Sequence, residues 1–219
     1  MTHILDIIGP IMIGPSSSHT AGAARLGKLA KTLLGESLAK AEIELFGSFA
    51  KTYLGHGTHL ALLGGLLGFD PDDERIRKAD EIASRQFDFC FSTFDAPINM
   101  HPNTVRLILR GGSEAIELVG ASLGGGRVVV NEIDGFSVRL DGERTVIIVH
   151  SVDIPGVITS LTSVLSEAGV NIGNMSVSRT AKGAKVIMTI EIDCVILPEV
   201  LARVEKVPGI TKVSQVTPL

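Results

Sequence analysis

Between a Gly-Pro break and a strongly helical segment, Gly14-Pro15-Ser16-Ser17-Ser18-His19-Thr20 sets five hydrogen-bonding side chains in a row. Ala21 to Leu34 follows with Ala, Leu, Lys and Arg at helix-favouring positions, so the serines fall at or before a helix N-terminus. A helix start offers unpaired backbone N–H groups and a partial positive charge, and neighbouring hydroxyls add hydrogen bonds to any carboxylate or phosphate held there. Ser and Thr also cap ordinary helices, a reading that suits one such residue better than an unbroken run. A second tract, Gly55-His56-Gly57-Thr58-His59, holds a histidine between glycines ahead of an apolar helix. Imidazole is suited by its intrinsic pKa to exchange protons near neutrality, although a glycine-flanked histidine is also a common surface-loop residue. The His56-x-x-His59 spacing could hold a metal, but no acidic general base lies between the pair and no third ligand is evident, so no metal site is expected on this chain. The third tract, Asn99-Met100-His101-Pro102-Asn103-Thr104, can donate amide and imidazole hydrogen bonds or serve as a plain turn, and the two readings stand level.

The elements that must carry these tracts fall into two groups. In the N-terminal part, apolar Ile4, Leu5, Ile7 and Ile8 precede the serines, and Ala21, Gly22, Ala23, Ala24, Gly27 and Ala30 let another element approach the first helix closely. Ile43 to Phe49 reads as a strand, Thr52 to Leu67 as a glycine-broken helix, Asp72 to Arg85 as a charged helix and Phe87 to Ser92 as a strand. Val105 to Leu109, Ala115 to Ser122, Val128 to Ile133 and Phe136 to Leu140 form an antiparallel set with a tight turn at Asp134-Gly135. Gly124-Gly125-Gly126 has no helix after it and reads as a hairpin or bulge rather than a phosphate cradle.

From Thr145 the order is strand (Val146 to His150), turn (Asp153-Ile154-Pro155-Gly156), helix (Val157 to Glu167), strand (Val170 to Arg179), hairpin (Lys182-Gly183), strand (Lys185 to Asp193), helix (Pro198 to Lys206) and strand (Ile210 to Val216). That is βαββαβ, the ferredoxin-like arrangement. The expected class is therefore α+β: an N-terminal α/β domain over 1–142 and a ferredoxin-like domain over 145–219, joined near Asp141 to Arg144.

Composition narrows the function. The chain has 219 residues, 45% hydrophobic, with a mean hydropathy of +0.35, enough for a well-cored protein of one large or two small domains. A net charge of −4, no run of Lys or Arg, and only eight Phe and one Tyr argue against nucleic acid as a partner. The longest apolar stretch, Leu60 to Phe69, is glycine-interrupted and well short of the roughly 20 residues that span a bilayer. The N-terminus has no basic segment and contains Asp6, so the expected location is cytoplasmic, away from membranes. Cys90 and Cys194 lie in apolar, strand-like runs and are expected to be buried free thiols. Two cysteines do not suffice for an iron–sulfur cluster, which takes three or four thiolates.

Taken in order, GPSSSHTAGAARLGKLA, GHGTH and MHPNT resemble the β subunits of bacterial two-subunit, iron–sulfur-dependent L-serine dehydratases over nearly the full length. The segment from Thr145 to Leu219 resembles the ACT domain, with Asp153-Ile154-Pro155-Gly156 at its (D/N)xPG loop. The N-terminal part also resembles the allosteric substrate-binding domain of phosphoglycerate dehydrogenases, which lack the serine tract. The resemblance to the dehydratases implies deamination of L-serine to pyruvate and ammonia on a [4Fe–4S] cluster, a Lewis acid held by cysteines of a separate α subunit. It implies Ser16, Ser17, Ser18 and Thr20 on the substrate's carboxylate or amine, His19 and His56 in proton transfer or orientation, and His101 and Asn103 in support. The ACT resemblance implies an effector amino acid near Asp153, Gly156 and Asn171, and pairing of copies through one or both domains. A non-enzymatic, amino-acid-sensing regulatory subunit is the alternative, and a regulatory fragment of serine biosynthesis is a third reading.

Overall fold

The computed structural model describes residues 10–95 and 99–218, and Ile4, Leu5, Ile7 and Ile8 lie outside them. The chain divides into two compact units, one running to Gly135 and taking in Arg139–Asp141, the other comprising Phe136–Val138 and the chain from Gly142 onward.

In the first unit a π-helical turn, Ser17–Ala21, leads without a break into α1 (Gly22–Leu34), which ends at Gly35 with φ 79° and its N–H donated to the Lys31 carbonyl. Next come β1 (Lys40–Leu45), α2 (Gly47–Thr52), α3 (Thr58–Leu66), a 3-10 turn over Glu74–Lys78, α4 (Ala79–Ala83) and β2 (Asp88–Thr93). Then follow β3 (Thr104–Arg110), β4 (Ala115–Gly124), β5 (Arg127–Ile133) and β6 (Phe136–Leu140), of which Phe136–Val138 are counted with the second unit. The six-stranded sheet has the order β2-β1-β3-β4-β5-β6. Strands β1 and β2 are parallel, with α2 to α4 forming the crossover, while β3 runs antiparallel to both β1 and β4, and β4 to β5. One face buries Ala41, Ile43, Leu45, Val105, Leu107, Leu109, Ile116 and Leu118. On the other, Arg106 bridges Glu44 at 2.9 Å and Glu117 at 3.3 Å.

Several boundaries differ from those expected. The first strand stops at Leu45, and Phe49 belongs to α2, because the chain turns at Gly47 (φ 61°) and the Ser48 and Phe49 N–H groups go to the Pro102 carbonyl instead of a ladder. The helix expected over 52–67 shortens to α3, because α2 ends at Thr52 and the chain turns over residues 53–57, with Gly57 left-handed at φ 69°. The charged helix shortens to a 3-10 turn and α4, started by Asp73 accepting the Arg75 N–H. Both cysteines are exposed rather than buried. Strand β2 lies at the sheet edge with Phe89 and Phe91 half-buried and the intervening Cys90 outward, whereas Cys194 falls in a bend just beyond the strand that ends at Ile192. An apolar neighbourhood in sequence says nothing about which side of a strand, or which end of it, a cysteine occupies.

The small residues of α1 serve the expected close approach, and the element that approaches is α3. A Cβ on Gly27 would stand 2.5 Å from the Leu62 carbonyl oxygen, and one on Gly65 would stand 2.0 Å from that of Ala24. Backbone therefore meets backbone where the helices cross, while Leu26, Leu29, Leu33 and Leu62 are fully or almost fully buried around the crossing.

The second unit is the expected βαββαβ: β7 (Thr145–Val152), α5 (Val157–Glu167), β8 (Ile172–Arg179), β9 (Lys185–Ile192), α6 (Pro198–Glu205) and β10 (Ile210–Val216). Its sheet order is β10-β7-β9-β8, antiparallel throughout. The central strands supply Ile147, Val149, Met188 and Ile190 to a core closed by Val157, Leu161 and Leu165 of α5 and Val204 of α6.

Because the α1–α3 crossing leaves no room for a methyl group, Gly65→Ala is expected to cost about 1–3 kcal/mol through overpacking. Urea denaturation measures this, and an unchanged midpoint would mean that the helices are not in backbone contact.

Candidate active site

The serine tract folds back onto its own histidine. Ser16 is extended (φ −143°, ψ 125°) and caps the π turn, its Oγ accepting the His19 N–H at 3.3 Å. The wider turn directs three side chains inward together. Ser16 Oγ and Ser18 Oγ lie 3.2 Å apart, and the His19 Nδ1 lies 3.4 Å from the first and 3.2 Å from the second. Ser17 points elsewhere: its Oγ accepts the Gly125 N–H at 3.2 Å. The glycine triplet is thus a hairpin turn, with φ of 90°, 63° and 78° at Gly124, Gly125 and Gly126, and it anchors the serine tract rather than a phosphate.

His19 is only 8% exposed, and the far side of its ring meets residues from the next two elements. Its Nε2 lies 3.3 Å from Ser48 Oγ in the first turn of α2. Phe49 packs edge-on at 5.2 Å between centroids, and the His56 ring lies 4.7 Å away at 47°. Burial first, and the neighbouring His56 second, hold the His19 pKa below its ordinary value. Charging a buried imidazole beside another costs solvation and invites repulsion, so His19 is neutral at neutral pH and able to accept a proton.

The Asn99–Thr104 tract joins this centre through backbone. The Pro102 carbonyl accepts the N–H groups of Ser48 at 2.7 Å and Phe49 at 3.3 Å. Only glycine fits at position 47, where a Cβ would stand 2.6 Å from that same oxygen. The His101 Nδ1 accepts the Asn103 N–H at 3.2 Å, and the Asn103 amide donates to the Ser122 carbonyl at 3.4 Å, so these contacts shape the loop. Thr20 is almost wholly buried and packs on Gly14, where a Cβ would come within 2.2 Å of its Oγ1. Thr20 Oγ1, Thr58 Oγ1, Ser122 Oγ and His56 Nδ1 are buried without a hydrogen-bond partner among the described residues. Each such atom carries a desolvation cost of about 1–3 kcal/mol; of the four residues, His56 lines the cleft, whereas Thr20 packs on Gly14 and Ser122 faces Gly22.

A cleft of about 380 Å³ opens at His56, lined also by Gly14, Pro15, Gly57, Ile76 and Arg77. Arg77 is a cation that sequence reading passed over, since it lies in a charged stretch that looks like a solvated helix face. Ser48 and Phe49 were missed as well; a Gly-Ser pair after a short strand was the available signal. His59 takes no part in the pair: its Nδ1 lies 3.1 Å from the Tyr53 carbonyl oxygen and its ring packs against Tyr53 and Phe91. Among the described residues no cluster of three or more His, Cys, Asp or Glu could hold a metal ion, and no helix is long and apolar enough to cross a membrane.

In the second unit, Asp153 accepts the Gly183 N–H at 3.0 Å and Arg179 Nη1 at 2.9 Å, and these two hydrogen bonds, in that order, hold its carboxyl below the usual range. Gly156, at φ 93°, starts α5. Asn171 is not brought to them. It donates to Asp193 at 2.9 Å at the opposite end of β8, an eight-residue strand and hence roughly 25 Å away. A hollow of about 50 Å³ beside Asp153, Ile154 and Val157 has room for a water or two.

Comparison with known proteins places the chain in a family. The family model described as serine dehydratase beta chain matches residues 4–133, and that for the ACT domain matches residues 145–209. The chain is 43% identical over 214 residues to the probable L-serine dehydratase, beta chain, of Bacillus subtilis, covering 97% of each. It is 37% identical over 190 residues to the L-serine dehydratase, beta chain, of Peptoniphilus asaccharolyticus, covering 86% of each. A D-3-phosphoglycerate dehydrogenase of Methanocaldococcus jannaschii is 27% identical over 112 residues, 51% of this chain but 21% of that one.

The lowered His19 pKa has a signed effect on stability. The unfolded chain takes up a proton near the ordinary value of 6.5, whereas the folded chain resists it until lower pH, so stability rises with pH across that window and is lost as pH falls through it. Denaturation midpoints measured from neutral to mildly acidic pH are expected to fall less steeply for His19→Gln than for the unsubstituted chain. Equal slopes would show that His19 is not buried neutral.

Proposed function

Because the chain belongs to the serine dehydratase β-chain family, we propose that it is one half of an enzyme that converts L-serine to pyruvate and ammonia. The other half is an α chain that carries a [4Fe–4S] cluster. The observation that carries this reading is the convergence of three separate polar tracts on the His19 imidazole, through Ser16 and Ser18, through His56, and through Ser48 on the Pro102 carbonyl.

The residues of this chain do not fit a cluster site of their own. Cys90 and Cys194 are exposed, lie in different units, and number fewer than the three or four thiolates required. Two exposed free thiols also suit a reducing compartment such as the cytoplasm. What this chain contributes is binding and proton transfer. Ser16, Ser18 and Thr20 offer hydroxyls to the carboxylate or ammonium of serine, Ser17 holds the tract in place through Gly125, and His101 and Asn103 shape the loop behind Ser48. One of the two histidines, His19 or His56, takes the Cα proton and passes it to the departing β-hydroxyl, which leaves as water, so that the imidazole ends the elimination unprotonated. The resulting enamine tautomerises to an imine, and hydrolysis releases pyruvate and ammonia.

The ACT unit adds regulation. Val152, Ile154, Ile158 and Val177 are exposed by 39% to 47% around the Asp153 loop, and the hollow there is too small to enclose an amino acid. A second copy of the unit against this apolar surface would complete an effector site from Asp153 and Gly156 of one copy and Asn171 of the other. In the alternative reading, a purely sensing subunit, the same surface would bind amino acid without any chemistry.

Anaerobic co-expression with a cysteine-bearing partner is expected to yield a brown complex that deaminates serine, and a colourless, inactive complex would favour the sensor. In the active pair, His56→Ala is expected to reduce turnover by about 100-fold or more, the usual contribution of a positioned acid–base group. Activity near that of the unsubstituted pair would remove His56 from the machinery.

A further inference from the structure

We propose that Ser48 is a positioning residue for His19. Its hydroxyl accepts from Nε2–H and so holds the buried imidazole in one tautomer, leaving Nδ1 as the basic nitrogen turned toward Ser16 and Ser18. The catalytic consequence rests on the serine-elimination reading above; the tautomer does not.

A neutral imidazole carries one proton, so one ring nitrogen donates and the other accepts. On the Nδ1 side stand two hydroxyls, Ser18 at 3.2 Å and Ser16 at 3.4 Å, and the Ser16 oxygen already accepts the His19 N–H. Both serines therefore have protons to give on that side. If Nδ1 accepts, Ser16 donates to Ser18 across 3.2 Å and Ser18 donates to Nδ1, and each proton has an acceptor. If Nδ1 carried the proton, it would meet at Ser16 an oxygen that already accepts the backbone N–H, and the Ser16 and Ser18 hydroxyl protons would lose the ring nitrogen as an acceptor.

The Nε2 side presents Ser48, which is itself immobilised. Its N–H goes to the Pro102 carbonyl at 2.7 Å and its own carbonyl accepts the Thr52 hydroxyl at 2.7 Å, which anchors its backbone, and its Oγ lies 3.3 Å from Nε2. His56 is the titratable group whose ring packs against His19, and Phe49 brings no charge, so nothing in this surround supports a second proton on the ring. The donor chain runs in one direction from Ser16 through Ser18 and His19 to Ser48, and it ends on a hydroxyl whose own proton stays available for hydrogen bonding. Because Ser48 also holds the Asn99–Thr104 loop through Pro102, the basic nitrogen and that loop share one support. A residue that orients an imidazole acts on rate through geometry, and small misplacements of a reacting group are costly.

The test is two-bond ¹H–¹⁵N spectroscopy of the full chain labelled with ¹⁵N-histidine, which distinguishes the two tautomers directly. Nε2–H is expected for His19 in the unsubstituted chain, a mixture of tautomers in Ser48→Ala, and recovery in Ser48→Thr. In the pair with the α chain, Ser48→Ala is expected to lower kcat by up to about 100-fold with a smaller change in KM, and Ser48→Thr to restore it. An Nδ1–H tautomer in the unsubstituted chain overturns the proposal, as does a Ser48→Ala chain whose tautomer matches the unsubstituted one. Should Ser48→Ala fail to fold, the unsubstituted chain and Ser48→Thr still decide. The expected tautomer pattern in a chain that deaminates no serine with any partner would uphold Ser48's hold on His19 and remove the enzyme reading alone.

Discussion

Burial of the His19 imidazole among hydroxyls is the constraint on which the first unit turns. An aromatic ring with two hydrogen-bonding nitrogens enters an interior only if both find partners. Here Ser16 and Ser18 meet one nitrogen and Ser48 the other, with Phe49 and His56 against the ring. Meeting that requirement draws together a turn near residue 16, a helix start near residue 48, a loop near residue 56 and, through the Pro102 carbonyl, a loop near residue 102. The same burial keeps the ring neutral, so the packing that closes the unit also provides a base.

Such a centre tolerates little slack, and close backbone approach supplies the precision. Gly47 admits the Pro102 carbonyl, Gly14 admits Thr20, and Gly27 and Gly65 let α1 and α3 cross with backbones in contact. Helix α1 carries the serine tract at its N-terminus, and α3 begins directly after His56. The helix crossing therefore sets the distance between the two histidines. The unpartnered hydroxyls of Thr20, Thr58 and Ser122 are a cost that this frame bears.

The second unit obeys a different logic. Its βαββαβ chain buries one face of a four-stranded sheet under two helices and keeps an apolar rim around the Asp153 turn in water. Asp153 is held by Arg179 and Gly183, so the turn is rigid while its neighbours Val152, Ile154, Ile158 and Val177 are uncovered. Rigid polar geometry beside exposed apolar surface is what the proposed effector site between paired copies would require.

Local patterns carried much of this protein. Periodicity and turn residues outlined the ferredoxin-like unit closely, with α5 at Val157–Glu167 as expected, because each element there is short, amphipathic and punctuated by Gly or Pro. The serine tract and the glycine-flanked histidine stood out in the sequence as polar clusters beside chain breaks, while the Asn99–Thr104 tract read equally as a plain turn. Ser48 and Arg77 carried no comparable mark, one in a helix start after a strand and the other among charges. The exposure of Cys90, the division of labour among Ser16, Ser17 and Ser18, and the separation of Asn171 from Asp153 likewise depended on direction rather than type. Residue types and spacings determine which groups are available and which elements form. Only tertiary packing decides which way a side chain faces and what lies across from it, because those contacts join residues tens of positions apart through backbone atoms that every residue shares.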